Sequence, residues 1–203
     1  MNRFAIVSGS HRSPSQTGKV ARFIQQLIAS DFEGVDTYLL DLGETPLPLW
    51  DPGLKTAAEP WCRVWSPVSA ELKECTGAIV VTPEWSGMVP AALKNFFLLC
   101  EQNELSHKPG LIVAVSSGVN GAYPVAELRM SSYKNTQFCY IPEHIIVRNV
   151  RSMLNELGAG APEEAYLRGR LKYALMLLVE YAEALKAVRN SGVADLATYP
   201  FGM

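Results

Sequence analysis

Short apolar runs that alternate along the chain with helix-like patterns are the feature that most constrains the fold. Two of these runs, residues 78–81 and 111–115, contain no polar position and therefore predict strands that are buried on both faces. Strands that alternate with amphipathic helices are typical of βαβ units and a parallel sheet. We therefore predict an α/β fold with a doubly wound sheet, whose ligand lies beyond the carboxyl ends of the strands.

The pattern predicts five strands and five helices. The strands are expected at about 3–8, 35–41, 77–82, 110–116 and 144–148, and the helices at about 18–30, 59–74, 90–102, 123–135 and 163–189. The proline-rich residues 43–60 predict a long connection. Because no repeat or linker interrupts the 203 residues, we expect a single domain that spans 1–203.

Composition excludes several classes of function. The net charge is −2 and no cluster of lysine or arginine stands out, which argues against a nucleic-acid partner. No apolar stretch approaches the length that spans a membrane, and the first residues do not resemble a signal peptide. The four cysteines and three histidines lack the spacing of a redox dithiol or a metal site. We expect a cytoplasmic protein without a metal or membrane insertion.

A hydroxyl-rich loop joins the first predicted strand to the first predicted helix. Its Ser10, Ser15 and Thr17 hydroxyls can donate to phosphate oxygens, and Arg12 can add a charge-assisted bond. The loop matches neither a Walker A sequence nor a glycine-rich dinucleotide loop. It therefore predicts a site for a terminal monophosphate at a helix N-terminus. The alternative is that Ser15 or Thr17 only caps the helix.

Two further loops, residues 83–90 and 117–123, follow the third and fourth predicted strands. Their glycines allow backbone to approach a flat ligand closely, and Trp85 can pack against an aromatic ring. The alternative for Trp85 is an exposed rim position or a contact between subunits. For Glu84 we favour a structural hydrogen bond over general-base catalysis.

Three motifs in this order and spacing resemble the NADPH-dependent FMN reductase family of the flavodoxin-like fold. They are GSxRxxSxT at residues 9–17, PEWSG at 83–87 and LKN at 93–95, and the resemblance spans about residues 3–130. Members of the family include quinone, chromate and azo-dye reductases. The resemblance implies a three-layer sandwich around a five-stranded parallel sheet of order 2-1-3-4-5. The commoner family spelling has Tyr-Asn where this chain has Trp85 and Ser86.

The resemblance also implies which residues bind the cofactor FMN. The FMN phosphate is expected to contact Ser10, Arg12, Ser15, Gln16 and Thr17. The isoalloxazine ring is expected to lie against Pro83, Glu84, Trp85, Ser86 and Gly87, with Ser116, Ser117, Gly118 and Gly121 at the border of the same pocket. No side chain is expected to act as a catalytic residue, because the flavin carries the chemistry.

By this resemblance the chain is an FMN-dependent NAD(P)H oxidoreductase. The resemblance implies that it passes hydride from NADPH or NADH through FMN to a small acceptor such as a quinone, azo dye, chromate or free flavin, and that it assembles as a homodimer or homotetramer. One alternative is an FMN-binding electron carrier or sensor, although a net charge of −2 gives little electrostatic steering toward a partner protein. Another is an interaction scaffold with a degenerate pocket.

Overall fold

Five parallel strands form one sheet within the residues that the computed structural model describes, which are 1–56, 59–101, 103–157 and 162–202. Their order across the sheet is β2-β1-β3-β4-β5, which confirms the predicted order. The strands are β1 (Asn2–Ser8), β2 (Val35–Asp41), β3 (Gly77–Pro83), β4 (Pro109–Val115) and β5 (Cys139–Val147). The two central strands β3 and β4 are buried throughout, as their apolar sequences predict.

Five α-helices of the described residues cover both faces of this sheet. They are α1 (Gln16–Asp31), α2 (Trp61–Glu74), α3 (Ala91–Leu99), α4 (Ala122–Ser131) and α5 (Pro162–Asn190), and single 3₁₀ turns occur at Pro52–Thr56 and Val150–Ser152. The core on one face contains α1 and α5, and the core on the other contains α2, α3 and α4. The predicted three-layer α/β sandwich is therefore confirmed.

The last strand, β5, starts five residues earlier than the sequence predicts. Pro142 is the reason, because a proline removes a backbone N–H and so argues against a strand. β5 lies at the edge of the sheet, and its pairing with β4 shifts register between Tyr140 and His144, so the exposed Pro142 lies at an irregularity of the strand. Residues 57 and 58 of the predicted connection 43–60 lie outside the described part of the chain. Trp61 and Trp65, which follow this connection, are buried in the core.

The sheet brings four chain segments to one edge. Ser8 pairs with Val81, and Val115 pairs with both Pro83 and Val147, so β1, β3, β4 and β5 all end at the same level. Backbone bonds continue the alignment past the strands, since Gly9 N donates to Val81 O at 2.8 Å. The loops that follow these four strands therefore meet in space. Among the described residues, no helix is both long enough and apolar enough to cross a membrane.

Candidate functional site

A cleft of about 310 Å³ lies at this carboxyl edge of the sheet. Its volume is at the lower end of the range that small-molecule sites occupy. It is lined by Ser10, Arg12, Pro14, Ser15, Gln16, Thr17, Pro83, Glu84, Trp85, Val115, Ser117, Val150 and Arg151. A wider groove of about 420 Å³ runs between β5 and α5, but it includes none of the three loops that the sequence singles out.

Nine of the fourteen residues that the sequence predicts for the site line this cleft together. They are Ser10, Arg12, Ser15, Gln16, Thr17, Pro83, Glu84, Trp85 and Ser117. The other five, Ser86, Gly87, Ser116, Gly118 and Gly121, belong to the same loops without lining the cleft itself. Sequence reasoning missed Pro14, Val115, Val150 and Arg151.

The loop between β1 and α1 places the hydroxyl groups at the start of a helix. Ser15 is the N-cap of α1, and its Oγ accepts a hydrogen bond from Gly18 N at 2.9 Å. The capping role considered for Ser15 is therefore present, but the hydroxyl keeps its own proton to donate. Ser10 and Thr17 are almost fully buried, and Ser10 Oγ accepts from Arg12 N at 3.2 Å. Helix start and hydroxyl groups thus converge at one end of the cleft.

Two guanidinium groups give this end of the cleft its charge. The side chains of Arg12 and Arg151 are exposed, and neither forms an ion pair or hydrogen bond with any residue in the described ranges. The lining contains one carboxylate, Glu84, whose Oε2 accepts a hydrogen bond from Gly121 N at 2.6 Å. The cleft therefore presents an uncompensated positive charge beside the N-terminus of α1, which favours an anion.

Lys19 connects the first turns of α1 to the segment that follows β5. Its Nζ donates to Val150 O at 2.6 Å, to Met153 O at 2.8 Å and to Asn155 Oδ1 at 2.8 Å. Burial lowers the pKa of this amine, and the nearby Glu164 opposes the shift. Lys19 therefore fixes the position of a segment that carries two of the cleft residues, Val150 and Arg151.

The loop after β3 forms a tight turn at the other end of the cleft. Ser86 and Gly87 have φ values of 51° and 76°, and Trp85 and Met88 exchange two backbone hydrogen bonds of 3.1 and 2.9 Å. Positive φ at both central residues is the signature of a type I′ turn. The Trp85 ring meets His11 edge-on, with ring centroids 4.8 Å apart. Trp85 is thus half-buried and contacts the exposed His11 within the chain.

A hydrogen bond joins this turn to the loop after β4. Glu84 Oε2 accepts from Gly121 N, as predicted for a structural role of Glu84. Gly121 has φ = 116°, and a Cβ at this position would lie 2.4 Å from Ile146 Cγ2. Only glycine fits there without strain. Within the same loop, Ser116 Oγ accepts from Gly118 N at 3.2 Å.

The third motif, residues 93–95, supports the site from behind. The Leu93 side chain packs against Gly9, where a Cβ would approach its Cδ2 to 2.6 Å. Lys94 forms an ion pair with Glu127 at 2.5 Å, and Asn95 accepts from Trp50 N and donates to Pro48 O, each at 2.8 Å. These residues position the loops without lining the cleft.

Comparison with known proteins gives one family and several relatives. The family model for NADPH-dependent FMN reductases matches residues 2–151. A quinone reductase from Pseudomonas putida is 31% identical over 123 residues, which cover 59% of this chain and 62% of that protein, so this chain aligns with less than two thirds of that relative. An NADPH azoreductase from a Bacillus species is 26% identical over 159 residues, covering 78% of this chain and 84% of that protein.

Solved structures share the fold. The flavoenzyme NAD(P)H:(acceptor) oxidoreductase FerB from Paracoccus denitrificans superposes with a TM-score of 0.71 at 20% identity, covering 91% of this chain and 98% of that one. A flavodoxin from the domain Archaea superposes with a TM-score of 0.52 at 15% identity, covering 92% and 99%. These similarities show a flavodoxin-like fold.

Proposed function

The chain belongs to the NADPH-dependent FMN reductase family, and we propose that it is an FMN-dependent NAD(P)H oxidoreductase. In this proposal, hydride passes from NADPH or NADH through FMN to a quinone-like or other small acceptor. The observation that carries the proposal is a single cleft that joins an anion-binding helix start to two loops able to lie against a flat ring. When bound, FMN supplies the redox chemistry, and the protein supplies placement and electrostatics.

The phosphate end of the cleft fits a phosphate monoester. A dianionic phosphate needs several donors and a balancing charge, and the residues present supply both. We propose that it is bound by Ser10, Arg12, Ser15, Gln16 and Thr17. The buried Ser10 and Thr17 support this assignment, because a buried hydroxyl beside a helix start is well placed to donate to an anion.

The ring end of the cleft fits a planar heterocycle. We propose that the isoalloxazine lies against Pro83, Glu84, Trp85, Ser86 and Gly87, with Ser116, Ser117, Gly118 and Gly121 at its border. In the type I′ turn, the two described inter-residue bonds use Trp85 and Met88, which leaves the N–H groups of Ser86 and Gly87 free of described partners. Such donors stabilise negative charge that develops on a reduced ring.

The two loops at this end of the cleft carry exposed apolar side chains. Met88, Val119 and Tyr123 are 52%, 72% and 69% exposed, and a Cβ at Gly87 would lie 4.0 Å from the Tyr123 ring. We propose that this surface admits the nicotinamide and then the acceptor, which is a quinone, azo dye, chromate or free flavin. Apolar surface beside the site also supports assembly as a homodimer or homotetramer. Sedimentation equilibrium that gives only monomer would contradict the assembly.

The test begins with flavin retention. The protein is soaked in FMN, freed of excess flavin and examined by absorption under argon before and after addition of NADPH or NADH. A retained flavin spectrum that bleaches with a nucleotide, and returns when a quinone is added, is the expected result. Retention should fall in Arg12→Gln but not in Arg63→Gln, which removes an exposed arginine of α2 that pairs with Glu59.

The same experiment separates the alternatives. Flavin that is retained but does not bleach with either nucleotide would contradict the reductase and favour an electron carrier or sensor. Flavin that is not retained, and not bound in an equilibrium titration either, would contradict every function that uses FMN and favour a scaffold.

A further inference from the structure

We propose that Arg151 is a second phosphate-binding cation, which faces the FMN phosphate from the connection between β5 and α5 and is held there by Lys19. The inference rests on the proposed binding of FMN. It adds to the site a residue that lies outside all three sequence motifs and that enters the cleft from a different chain segment than Arg12.

Arg151 is part of a short turn that is fixed to the sheet. The 3₁₀ turn Val150–Ser152 follows β5, and Val150 N donates to Ser116 O at 3.1 Å, so the turn is joined to the end of β4. Val150 is buried, whereas Arg151 is exposed and lines the cleft together with Arg12 and Ser15. The cleft therefore has one free guanidinium on the β1–α1 loop and another on the turn after β5.

Lys19 fixes the backbone on both sides of Arg151. Two of the acceptors of its amine are the carbonyl oxygens of Val150 and Met153, which flank Arg151 in the chain. Lys19 does not itself line the cleft, and its three described bonds go to Val150 O, Met153 O and Asn155 Oδ1. Lys19 is therefore a positioning residue, and Arg151 is the group available to a ligand.

Charge balance explains why a second cation is useful here. A phosphate monoester carries about −1.5 to −2 charges near neutral pH, which one guanidinium compensates only in part. Glu84, the one carboxylate of the lining, accepts a hydrogen bond from Gly121 N and forms no ion pair with Arg151 among the described residues. Two guanidinium groups on opposing segments match the charge of the phosphate and can each donate two hydrogen bonds to its oxygens.

A phosphate monoester has two possible sources in this reaction, the 5′-phosphate of FMN and the 2′-phosphate of NADPH. The position of Arg151 favours FMN, because it lines the same cleft as Ser15, Gln16 and Thr17 at the N-terminus of α1. In our proposal, a nicotinamide nucleotide approaches at the ring end, where Met88 and Tyr123 are exposed.

The first test compares FMN with riboflavin, which lacks the phosphate. Equilibrium titrations followed by flavin fluorescence are expected to show a Kd for FMN that is raised about tenfold or more in Arg151→Gln, since a lost charge-assisted bond has at least this effect. The Kd for riboflavin should stay unchanged. The Kd of Arg151→Lys for FMN should lie between those of the wild type and Arg151→Gln, because lysine keeps the charge and loses the paired geometry. Arg63→Gln is the matched control and should leave both constants unchanged.

Distinct results would overturn the inference. An equal change in the two flavin constants, or none, contradicts a phosphate contact by Arg151. An unchanged Kd for FMN with a raised KM for NADPH, but not for NADH, would assign Arg151 to the nucleotide instead. A wild-type protein that binds FMN through Arg151 yet oxidises neither nucleotide would overturn the proposed reductase and leave this inference standing. A wild-type protein that binds no flavin would contradict both.

A double-mutant cycle tests the role of Lys19. Lys19→Met should raise the Kd for FMN severalfold in the presence of Arg151 and have little further effect in Arg151→Gln, because both changes remove the same contact. The ratio of FMN to riboflavin affinity is the readout, since general destabilisation does not alter it. Additive effects on this ratio would show that Lys19 does not act through Arg151.

Discussion

The two ends of the cleft are built from different kinds of interaction. At the phosphate end, all the proposed donors except Arg151 lie within eight consecutive residues, 10–17, and the start of α1 organises them through the Ser15 cap. At the ring end, the loops are held by contacts between distant residues, such as Glu84 with Gly121 and Trp85 with His11. We therefore expect local changes to act on ligand binding at the first end and on loop structure at the second.

The largest expected effect is at Gly121, at the ring end. Gly121→Ala combines a positive φ with a Cβ only 2.4 Å from Ile146 Cγ2, and we expect the free energy of unfolding to fall by about 3 kcal/mol. Gly118→Ala is the matched control, because no atom lies within 4 Å of its Cβ position. Urea unfolding of the two variants measures the difference. Equal stabilities would show that tertiary contacts do not hold this loop.

The next effect separates capping from ligand binding at Ser15. Aspartate caps a helix as well as serine, so Ser15→Asp should keep the stability of the wild type. Its negative charge should weaken FMN binding about 100-fold through repulsion of the phosphate, with riboflavin unaffected. Ser15→Ala should instead lose about 1 kcal/mol of stability with the cap. If Ser15→Asp binds FMN normally, the phosphate does not lie at this helix start.

A smaller effect is expected when the hydrogen bond between the two ring-end loops is removed. Glu84→Ala leaves the buried N–H of Gly121 without its partner and should lower the free energy of unfolding by about 1.5 kcal/mol. Because the ring end does not contact the phosphate in our proposal, FMN and riboflavin should lose affinity by the same factor. Glu84→Gln keeps an acceptor for the Gly121 N–H and should retain most of the stability and most of the flavin affinity. A loss of affinity for FMN but not for riboflavin would contradict the assignment of the phosphate and the ring to different ends of the cleft.

The smallest expected effect is a gain at Ser86. Asparagine is several-fold enriched in the left-handed region that Ser86 occupies at φ = 51°, and it is favoured at this position of a type I′ turn. Ser86→Asn should therefore raise the free energy of unfolding by about 0.5 kcal/mol or less. Thermal unfolding compares it with the wild type. A decrease in stability would indicate that the serine makes a contact which the turn geometry alone does not require.

Most of the fold follows from short-range sequence pattern. The run from residue 3 to 8 gives β1, and the apolar stripe of α5 gives a helix within one residue of its bounds at Pro162 and Asn190. The sequence predicts only the second half of β5, because a proline such as the exposed Pro142 is more typical of a turn than of a strand. A local pattern does not reveal whether a strand lies at the centre or at the edge of a sheet.

The candidate site also combines features that the local sequence predicts with features that it does not. The β1–α1 loop could be predicted because its donors are contiguous and precede a helix. The roles of Arg151 and Lys19 could not be predicted, because the amine of Lys19 donates to carbonyl oxygens that lie 131 and 134 residues further along the chain. The contact of Trp85 with His11 was missed for the same reason, since the two rings come from separate loops. No periodicity or spacing marks such pairs.

The long sequence separation bridged by Lys19 also has a kinetic consequence. Contacts between distant residues require large chain loops to close, which costs conformational entropy and slows folding. β1, α1 and β3 can associate before the turn that carries Arg151 arrives, so full cofactor affinity should appear after most of the secondary structure. In refolding experiments, the quenching of FMN fluorescence should therefore lag behind the far-ultraviolet circular dichroism signal, and coincident traces would contradict this order. If the quenching does lag, FMN binding reports on the docking of the turn that carries Arg151, which is a late step in the folding of this chain.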